Sequence, residues 1–329
     1  DSLPVSAFKG REDGTYPQGA AAYEKRGVAV FAPIWNPKTC IQCNQCAFVC
    51  PHAAIRPFAM NADEAAKAPA NTLFAEKPVI KTDYKFTMAV SPLDCMGCTL
   101  CVKACPVTAK ATKDGKPENA ALVMSSQEKA LFQQDAFNYA VENVSEKSEL
   151  LGTTVKASQF KQPLLEFSGS CAGCAETSYA RLVTQLFGER MYISNATGCS
   201  SIWGGSAPAT PYTVNKATGR GPAWANSLFE DNAEHGLGMY LGQKAVRERL
   251  IGYVRELGET AENADVKAAI DEYLNTLEDG KANTPATEKM IAALEACKCD
   301  NPLKAKILAE KDFLSKKSVW IFGGDGWAY

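Results

Sequence analysis

The chain has little histidine, little net charge and no long uncharged apolar stretch. Two of its 329 residues are histidines, and its formal net charge is −2. Because the charge is so balanced, we expect neither a nucleic-acid partner nor binding to an anionic membrane. The longest uncharged run, 191–215, is interrupted by glycine, serine, asparagine and proline. Its backbone groups would not be satisfied in lipid, so we expect no membrane-spanning segment.

Two sequence signals are also missing. No G-x-G-x-x-G follows a candidate strand, so hydride transfer to a nicotinamide is not indicated. No secretory signal peptide opens the chain. The first residue is Asp1 rather than methionine, and the last, Tyr329, follows shortly after a Gly-Asp-Gly. We therefore expect both ends to continue into a longer polypeptide.

Cysteine, in contrast, is abundant and regularly spaced. Of 13 cysteines, eight lie in two runs, 40–51 and 95–106, and each run reads C-x2-C-x2-C-x3-C-P. This is the bacterial ferredoxin pattern for two 4Fe-4S clusters. Zinc is the main alternative, but zinc sites usually use two cysteine pairs with a long gap between them. A disulfide scaffold would space its cysteines irregularly in a small secreted domain, so we predict a reducing cytoplasm.

The two runs predict two ligand sets that exchange one cysteine each. In folds of this kind the fourth cysteine of one run binds the cluster of the other run. The first predicted set is therefore Cys40, Cys43, Cys46 and Cys105. The second predicted set is Cys95, Cys98, Cys101 and Cys50.

Motifs and periodicity divide the chain into three regions. Residues 1–28 lack periodicity and are rich in proline and glycine, which indicates a linker from an upstream domain. Residues 29–144 hold both cysteine runs, a polar surface excursion at 61–70 and a helical tail from about Ser125 to Glu146. Residues 145–329 form the third region.

The third region has the pattern of an α/β sheet domain. Residues 191–194 and 318–322 are predicted to be buried strands, the second one parallel, and 240–317 has helical spacing. Thr284 and Asn301 each precede a proline, so each is predicted to be an N-cap with proline at the first helical position. Ligand groups at strand ends favour an α/β fold.

Three further cysteines lie in glycine-rich loops. Cys171-Ala-Gly-Cys174 alone is compatible with a redox dithiol, half a zinc site or half a cluster site, and Cys199 supplies a third thiolate. A fourth ligand is missing. Cys297 and Cys299 lie in a helical stretch, so we interpret them as free surface thiols and expect the fourth ligand beyond Tyr329.

The short motif Gly324-Asp325-Gly326 follows the last predicted strand. It is compatible with an ordinary turn. It is equally compatible with a diphosphate site, in which Asp325 holds Mg²⁺ and the two glycines let the backbone approach phosphate oxygens.

The remaining polar motifs are interpreted as structural. We expect His52 to belong to the surroundings of a cluster and His235 to lie in a solvated acidic loop. The glycine pairs at 204–205 and around Arg220 indicate loops and turns.

Taken together, the motifs resemble those of the pyruvate:ferredoxin (flavodoxin) oxidoreductase family over essentially the whole chain. The segments that carry the resemblance are 13–17 (DGTYP), 23–27 (YEKRG), 43–53 (CNQCAFVCPHA), 168–176 (SGSCAGCAE), 195–204 (NATGCSSIWG), 226–234 (NSLFEDNAE) and 323–329 (GGDGWAY).

The resemblance implies an α+β ferredoxin-like domain with two clusters, followed by part of an α/β thiamine-diphosphate domain. Cys171, Cys174 and Cys199 match three ligands of a further 4Fe-4S cluster beside the thiamine, and Asp325 matches the Mg²⁺-binding aspartate. The family activity would be oxidative decarboxylation of pyruvate to acetyl-CoA, with coenzyme A as acceptor of the acetyl group. Three 4Fe-4S clusters would pass the electrons to ferredoxin or flavodoxin, and the family implies a homodimer.

Three alternatives stay open. A polyferredoxin-like subunit would only relay electrons, and it would need neither Asp325 nor a third thiol group. A sister enzyme would act on another 2-oxoacid. A zinc-structured interaction protein would lack the visible absorbance of iron–thiolate bonds.

Overall fold

The structure is a computed structural model that describes residues 2–12, 17–206, 209–324 and 327. The chain forms two compact units. The first comprises 1–189 and 198–222, and the second comprises 190–197 and 223–329. These two units are defined by the packing of the folded chain. The domain boundaries at 28/29 and 144/145 rest on sequence motifs and stay a prediction.

The first unit mixes short helices with two antiparallel strand pairs. Its strands are β1 (Phe31–Trp35), β2 (Ile55–Met60), β3 (Lys85–Val90) and β4 (Leu122–Ser126). Its helices are α1 (Gln45–Phe48), α2 (Ala62–Ala66), α3 (Leu100–Lys103), α4 (Pro106–Lys113), α5 (Gln127–Ala130), α6 (Gln134–Asn143), α7 (Val155–Ser158), α8 (Ala175–Phe187) and α9 (Cys199–Ser201). The mixed α and β content agrees with the predicted fold class.

The two halves of an internal repeat, β1–β2 and β3–β4, pair with each other, strand by strand. β1 pairs with β4 from Phe31 opposite Ser126 to Trp35 opposite Leu122. β2 pairs with β3 from Ile55 opposite Val90 to Met60 opposite Lys85. Each cysteine run follows the first strand of one half, β1 or β3, and ends in a short helix, α1 or α3. The first-unit core therefore includes cysteines beside apolar side chains: Trp35, Cys46, Ile55, Phe86, Met88, Val90, Cys101, Cys105 and Leu122.

The helical tail after the second run is present but broken. The predicted helix from Ser125 begins only at Gln127, because Leu122–Ser126 pairs with β1 as a strand. It continues after a 3-10 turn as α6, which buries Phe137 and Ala140. The predicted excursion at 61–70 contains α2, whose start is capped by Asn61 and Glu64 reciprocally.

The second unit contains a three-stranded parallel sheet. Its strands are β5 (Met191–Asn195), β6 (Ala223–Asn226) and β7 (Ser318–Phe322), in the order β6-β5-β7. Met191 lies opposite Ser318 and Tyr192 lies opposite Ala223. The predicted strands at 191–194 and 318–322 are confirmed. β7 is less buried than predicted, since Ile321 is 42% exposed.

Four helices between β6 and β7 pack on one another. They are α10 (Asn232–Thr260), α11 (Ala264–Asn275), α12 (Gly280–Ala296) and α13 (Pro302–Ala309). Their common core is formed by Leu250, Val254, Leu257, Val266, Ile270, Tyr273, Met290, Leu294, Ile307 and Leu314. The predicted helical region is confirmed, and it begins eight residues earlier than Tyr240.

One of the two predicted proline caps is wrong. Asn301 caps α13 by accepting from Leu303 N, with Pro302 at the first helical position. Thr284 does not cap a helix, and Pro285 lies inside α12. Asp279 caps α12 instead, because its Oδ1 accepts from Lys281 N at 2.9 Å and Ala282 N at 3.0 Å.

Three further sequence interpretations need correction. Cys297 and Cys299 are not free thiols; they form a disulfide after α12, with Cα atoms 5.3 Å apart, within the range a disulfide needs. His235 lies on α10 rather than in a loop, and its Nδ1 is 2.7 Å from Ser194 Oγ. Gly204 and Gly205 lie in a π-helical turn, Ile202–Ser206. Within the described part of the chain, no helix has the length and apolarity to cross a membrane.

Candidate functional site

Two cavities in the first unit are each lined by four cysteines. The first cavity is lined by Cys40, Cys43, Cys46 and Cys105, together with Trp35, Met88 and Leu122. The second cavity is lined by Cys50, Cys95, Cys98 and Cys101, together with Ile55, Val90 and Met124. These are the two predicted sets, including the exchange of Cys50 and Cys105 between the runs.

The local backbone conformation is what turns each run inward. Gln42 and Asn44 have φ of 56° and 61°, and Gly97 and Thr99 have φ of 69° and 67°. This left-handed conformation two and four residues after the first cysteine curls each run into a loop. Gln42 N donates to Cys40 Sγ at 3.4 Å, and Gly97 N donates to Cys95 Sγ at 3.4 Å. Such N–H···S bonds tune iron–sulfur clusters.

The exchange of Cys50 and Cys105 follows from the helices that end each run. The third cysteine of each run lies within α1 or α3, and the fourth cysteine stands two residues after the end of that helix. Cys105 precedes Pro106, which begins α4 at its first position. A proline suits this position because its missing N–H needs no helical partner.

Because these thiols are buried, they ionise poorly when no metal is bound. Burial raises the pKa of Cys95 to about 12 and raises the pKa values of Cys46 and Cys101 far above the ordinary value. Burial also raises the pKa of Cys40, while the Trp35 indole acts as a donor in the opposite direction. Bound iron would have to supply the positive charge that ionises these thiols.

Buried donors around the first cavity suit an anionic group. Trp35 Nε1 is buried in the lining of the cavity, where the indole N–H acts on the Cys40 sulfur. The Gln42 side chain is held by Lys77 O at 2.8 Å, so its backbone N–H stays aimed at Cys40. A cluster with four thiolates offers sulfur acceptors to such donors. The residues present therefore fit a 4Fe-4S cluster in each cavity.

The described residues form no site for a single metal ion. Among the described His, Cys, Asp and Glu side chains, no three stand close enough together to hold one ion. A cubane spreads its four cysteine ligands over separate iron atoms, so its ligands are spaced more widely. The two four-thiol cavities and this finding are compatible.

The third thiol group consists of Cys171, Cys174 and Cys199, and the first two lie beside the second cavity. Cys171 and Cys174 flank a turn in which Cys174 N donates to Cys171 O at 3.1 Å. Gly173, with φ of 79°, sits so close to Cys98 that a Cβ on it would be 3.5 Å from Cys98 Cβ. The Gly173 backbone also donates toward the Cys98 sulfur, which partly offsets the rise that burial causes in the Cys98 pKa.

Cys199 begins α9, and its thiol is exposed. The structure places it in the same unit as Cys171 and Cys174. Contact between Cys199 and the other two thiols is not seen among the described residues, so the joint role of the three stays a prediction.

Hydrogen bonds of His52 link the first cysteine run to the segment just before Cys171. It is buried, and its Nδ1 is 3.2 Å from Ser168 O and 3.3 Å from Ser168 Oγ. Its backbone carbonyl accepts from Phe167 N at 2.9 Å. Burial lowers the pKa of His52 below its ordinary value, so the ring is neutral at neutral pH. The interpretation of His52 as part of the cluster surroundings is consistent with this position.

The predicted diphosphate motif is only partly described. Gly324 follows β7, and its carbonyl accepts from Trp327 N at 3.1 Å. Asp325 and Gly326 lie outside the described residues. Gly324 stands at the carboxyl end of a parallel strand, where ligands bind in open α/β sheets.

Sequence reasoning missed a polar network at this same sheet edge. Asn232 Nδ2 donates to Phe322 O at 2.9 Å, and Ser194 Oγ donates to Asn232 Oδ1 at 2.6 Å. Asn195 Nδ2 donates to Asn226 Oδ1 at 3.0 Å, while its own Oδ1 is buried without a partner. Asn195, which directly follows the predicted strand 191–194, was the available signal.

Sequence reasoning also missed the buried polar face of α8. Thr177, Arg181, Thr184 and Gln185 are all buried. The usual expectation is that a helix buries an apolar stripe, so no periodicity signal could reveal this face.

Comparison with known proteins identifies a cluster-binding domain in the chain. Residues 39–109 match the 4Fe-4S dicluster domain family, and residues 1–29 match a domain of unknown function called EKR. The first unit therefore contains a ferredoxin-like 4Fe-4S dicluster domain.

The whole chain also aligns with parts of longer curated proteins. It is 48% identical to a pyruvate-flavodoxin oxidoreductase of Klebsiella pneumoniae, of which it covers 27%. It is 48% identical to a pyruvate:ferredoxin oxidoreductase of Moorella thermoacetica, covering 28%, and 41% identical to a mitochondrial pyruvate dehydrogenase [NADP(+)] of Euglena gracilis, covering 18%. All of this chain is matched in each case, so it corresponds to a fragment of these oxidoreductases.

Proposed function

We propose that this chain is the electron-transfer segment of a pyruvate:ferredoxin or pyruvate:flavodoxin oxidoreductase. The whole protein would convert pyruvate, coenzyme A and an oxidised acceptor into acetyl-CoA, CO2 and the reduced acceptor. Two electrons would leave one at a time through three 4Fe-4S clusters. The relatives that carry these names match the chain over its full length at up to 48% identity.

The observation that carries the proposal is the pair of four-cysteine cavities with one exchanged cysteine each. Each cavity is mostly apolar apart from its thiols and has a backbone N–H directed at a cysteine sulfur. Apolar walls limit solvent access and thereby help to set a low reduction potential.

The path proposed for the electrons runs from the third thiol group to the second cavity and then to the first. Gly173, in the turn between Cys171 and Cys174, packs on Cys98 of the second cavity. Cys46 of the first cavity and Cys101 of the second are near enough for the charge of one to raise the pKa of the other. Along this path, the chain would hold the three clusters close to one another and would limit their contact with water.

The second unit is proposed to bind part of thiamine diphosphate and its Mg²⁺. When bound, this cofactor supplies the electron sink for decarboxylation. Asp325 would hold the Mg²⁺, and Gly324 and Gly326 would let the backbone approach the diphosphate. The polar sheet edge with the unpartnered Asn195 Oδ1 fits a polar ligand, since a buried acceptor is costly when it stays unpaired.

The proposed enzyme also needs substrates, an electron acceptor and a second subunit. Pyruvate and coenzyme A would be its substrates, ferredoxin or flavodoxin its acceptor, and a homodimer its assembly. A reducing cytoplasm would suit the eleven free cysteines, which need protection from oxidation until iron binds.

The proposal is tested with the full-length protein, purified without oxygen. Viologen reduction is measured with pyruvate, with and without coenzyme A, and with a panel of other 2-oxoacids. We expect reduction that requires both pyruvate and coenzyme A. Reduction with another 2-oxoacid alone would identify a sister enzyme, and no reduction despite intact clusters would identify an electron carrier.

Two variants separate the cluster role from the diphosphate role. Cys199→Ser should abolish turnover and remove one cluster, while both clusters of the first unit keep their EPR signals. Asp325→Ala should weaken binding of Mg²⁺ and thiamine diphosphate without loss of iron. Asp300→Ala is the control, because Asp300 lies near the exposed end of α12 and has no proposed role. Turnover by Cys199→Ser with three intact clusters would disprove its ligand assignment.

A further inference from the structure

Arg181 is a fully buried cation that lacks a protein counter-charge. It is 2% exposed and lies on α8, two helical turns after Cys174. Its Nη2 donates to Phe48 O at 2.6 Å, and its Nη1 donates to Gln185 Oε1 at 2.8 Å and Gln159 Oε1 at 3.2 Å. All three partners are neutral, and Arg181 Nε has no partner.

The electrostatic surroundings of Arg181 contain no carboxylate among the described residues. Burial lowers the pKa of Arg181 to about 10, and among the described residues the other groups whose charge acts on it are the Cys50 thiolate and the Arg56 guanidinium. Arg56 is itself a cation, but it is paired with Glu166. A buried guanidinium without an anion is expensive, so the missing negative charge has to come from something that the protein binds.

The place of Arg181 identifies that group. Phe48, whose carbonyl it holds, lies between Cys46 and Cys50, where the first run crosses from the first cavity to the second. Cys50 lines the second cavity. A 4Fe-4S cluster with four thiolates is a net anion, and its negative charge grows when it accepts an electron.

We infer that Arg181 is the buried counter-cation of the cluster in the second cavity and raises its reduction potential. This inference rests on the proposed function, because it requires a cluster there. One electron enters the cluster, no bond forms or breaks, and Arg181 stays protonated throughout. The fixed positive charge stabilises the reduced form more than the oxidised form. Arg181 is thus a positioning and tuning residue rather than a catalytic one.

Two variants separate charge from packing. Arg181→Gln removes the charge, while Arg181→Lys keeps it. Gln159→Glu keeps the arginine and places a carboxylate 3.2 Å from Nη1 at a residue of the same shape. The amide nitrogen of Gln159 donates to the Ser158 hydroxyl at 3.2 Å and to Gln185 Oε1 at 3.4 Å, and the carboxylate gives up these two bonds. Arg247→Gln is the matched control, since Arg247 also donates to carbonyls, those of Leu314 and Leu277, within the second unit.

The measurement is an anaerobic potentiometric titration of the full-length protein followed by EPR. The signal that disappears in Cys98→Ser marks the second-cavity cluster. For this cluster we expect Arg181→Gln and Gln159→Glu each to lower the reduction equilibrium constant roughly tenfold, as a unit charge at this range implies, or about 59 mV for one electron. In Arg181→Lys and Arg247→Gln, the reduction equilibrium constant should stay within about twofold of the wild-type value. This change is well below the effect of one unit charge.

The outcomes distinguish the inference from the proposed function. If the wild-type protein holds no cluster, the proposed function fails. If the clusters are present and both Arg181→Gln and Gln159→Glu leave the potential unchanged, only the role of Arg181 is overturned. Should Arg181→Gln fail to fold or lose iron, Gln159→Glu decides, because it keeps Arg181 and the bond from Arg181 to Phe48 O.

Discussion

Gln42 and Gly97 are structural equivalents in the two cysteine runs. Both have positive φ, 56° and 69°, and each donates its backbone N–H at 3.4 Å to the sulfur of the cysteine two residues earlier. One run uses a glycine for this turn and the other a glutamine. The glutamine is held in place by its side-chain bond to Lys77 O. The same backbone loop is therefore built by two different local means.

Gly97→Ala is expected to destabilise the first unit. A Cβ at this position would meet Phe31 O at 3.2 Å, and the residue would also keep an unfavourable φ. The left-handed conformation alone costs a non-glycine residue roughly 1–2 kcal/mol. Gly115→Ala is the matched control, because Gly115 has φ of 66° but nothing within 4 Å of its Cβ position. Thermal unfolding should show a larger loss for Gly97→Ala, and equal losses would refute the contact with Phe31.

Cys50→Ser is expected to remove the second-cavity cluster although Cys50 belongs to the first run. Iron analysis should show a loss of roughly four irons. Adding Cys98→Ser, in the same cavity, should cost no further iron. Adding Cys43→Ser, in the other cavity, should cost roughly four more. If the pair Cys50 and Cys43 instead behaved as one site, the exchange of cysteines between the runs would be wrong.

Much of this site could be predicted from sequence because cluster ligation fixes the spacing of the cysteines. The C-x2-C-x2-C-x3-C-P repeat predicted both ligand sets, and the structure lines one cavity with each set. Strands 191–194 and 318–322 and the cap at Asn301 also followed from local pattern. Each of these features is specified by residues that are neighbours along the chain.

The features that sequence missed depend on distant residues or on competing local signals. Thr284-Pro285 looks like a helix start, but Asp279 caps the helix five residues earlier, and Pro285 falls within its second turn. Arg181 gives no periodic signal, since its burial depends on Phe48, which is 133 residues away. The Cys297–Cys299 disulfide was missed because a C-x-C pair is equally compatible with two free thiols.

Glu64 is expected to make the first unit sensitive to acid. Burial alone would raise the pKa of Glu64, but Lys147 and hydrogen bonds from Asn61 and Ser145 outweigh it, so the pKa lies below its ordinary value of 4.5. A carboxylate with a lowered folded-state pKa stabilises the fold above its unfolded pKa, and this contribution is lost as the pH falls through the folded value.

The variant Glu64→Gln tests this assignment. It should lower the denaturant midpoint at pH 7, and the difference from wild type should shrink as the pH falls below 4.5 and Glu64 becomes protonated. Comparing variant with wild type at each pH cancels any acid loss of clusters common to both. Glu118→Gln, at an exposed turn, is the control and should show no such convergence. A difference that stays constant from pH 7 to pH 3 would exclude the ion pair as its source.

Gly236 and Gly238, two residues apart on α10, are expected to respond to alanine in opposite directions. At Gly236 a Cβ would lie 2.6 Å from Ile321 Cγ1 and 3.4 Å from Ser194 Cβ, because the helix crosses the sheet there. At Gly238 nothing lies within 4 Å. Gly236→Ala should therefore cost roughly 1–3 kcal/mol through overpacking. Gly238→Ala should stabilise the helix by up to about 1 kcal/mol, since alanine is the better helix former.

The melting order should be Gly238→Ala above wild type and wild type above Gly236→Ala. Adding Ile321→Ala to Gly236→Ala removes the clashing Cγ1, so the double variant should lose less stability than the two single losses together. Such coupling is expected only for residues in contact. The same addition to Gly238→Ala should be additive. Additivity in both pairs would mean that α10 does not approach β7 at Gly236, and the close packing of this helix on the parallel sheet would have to be abandoned.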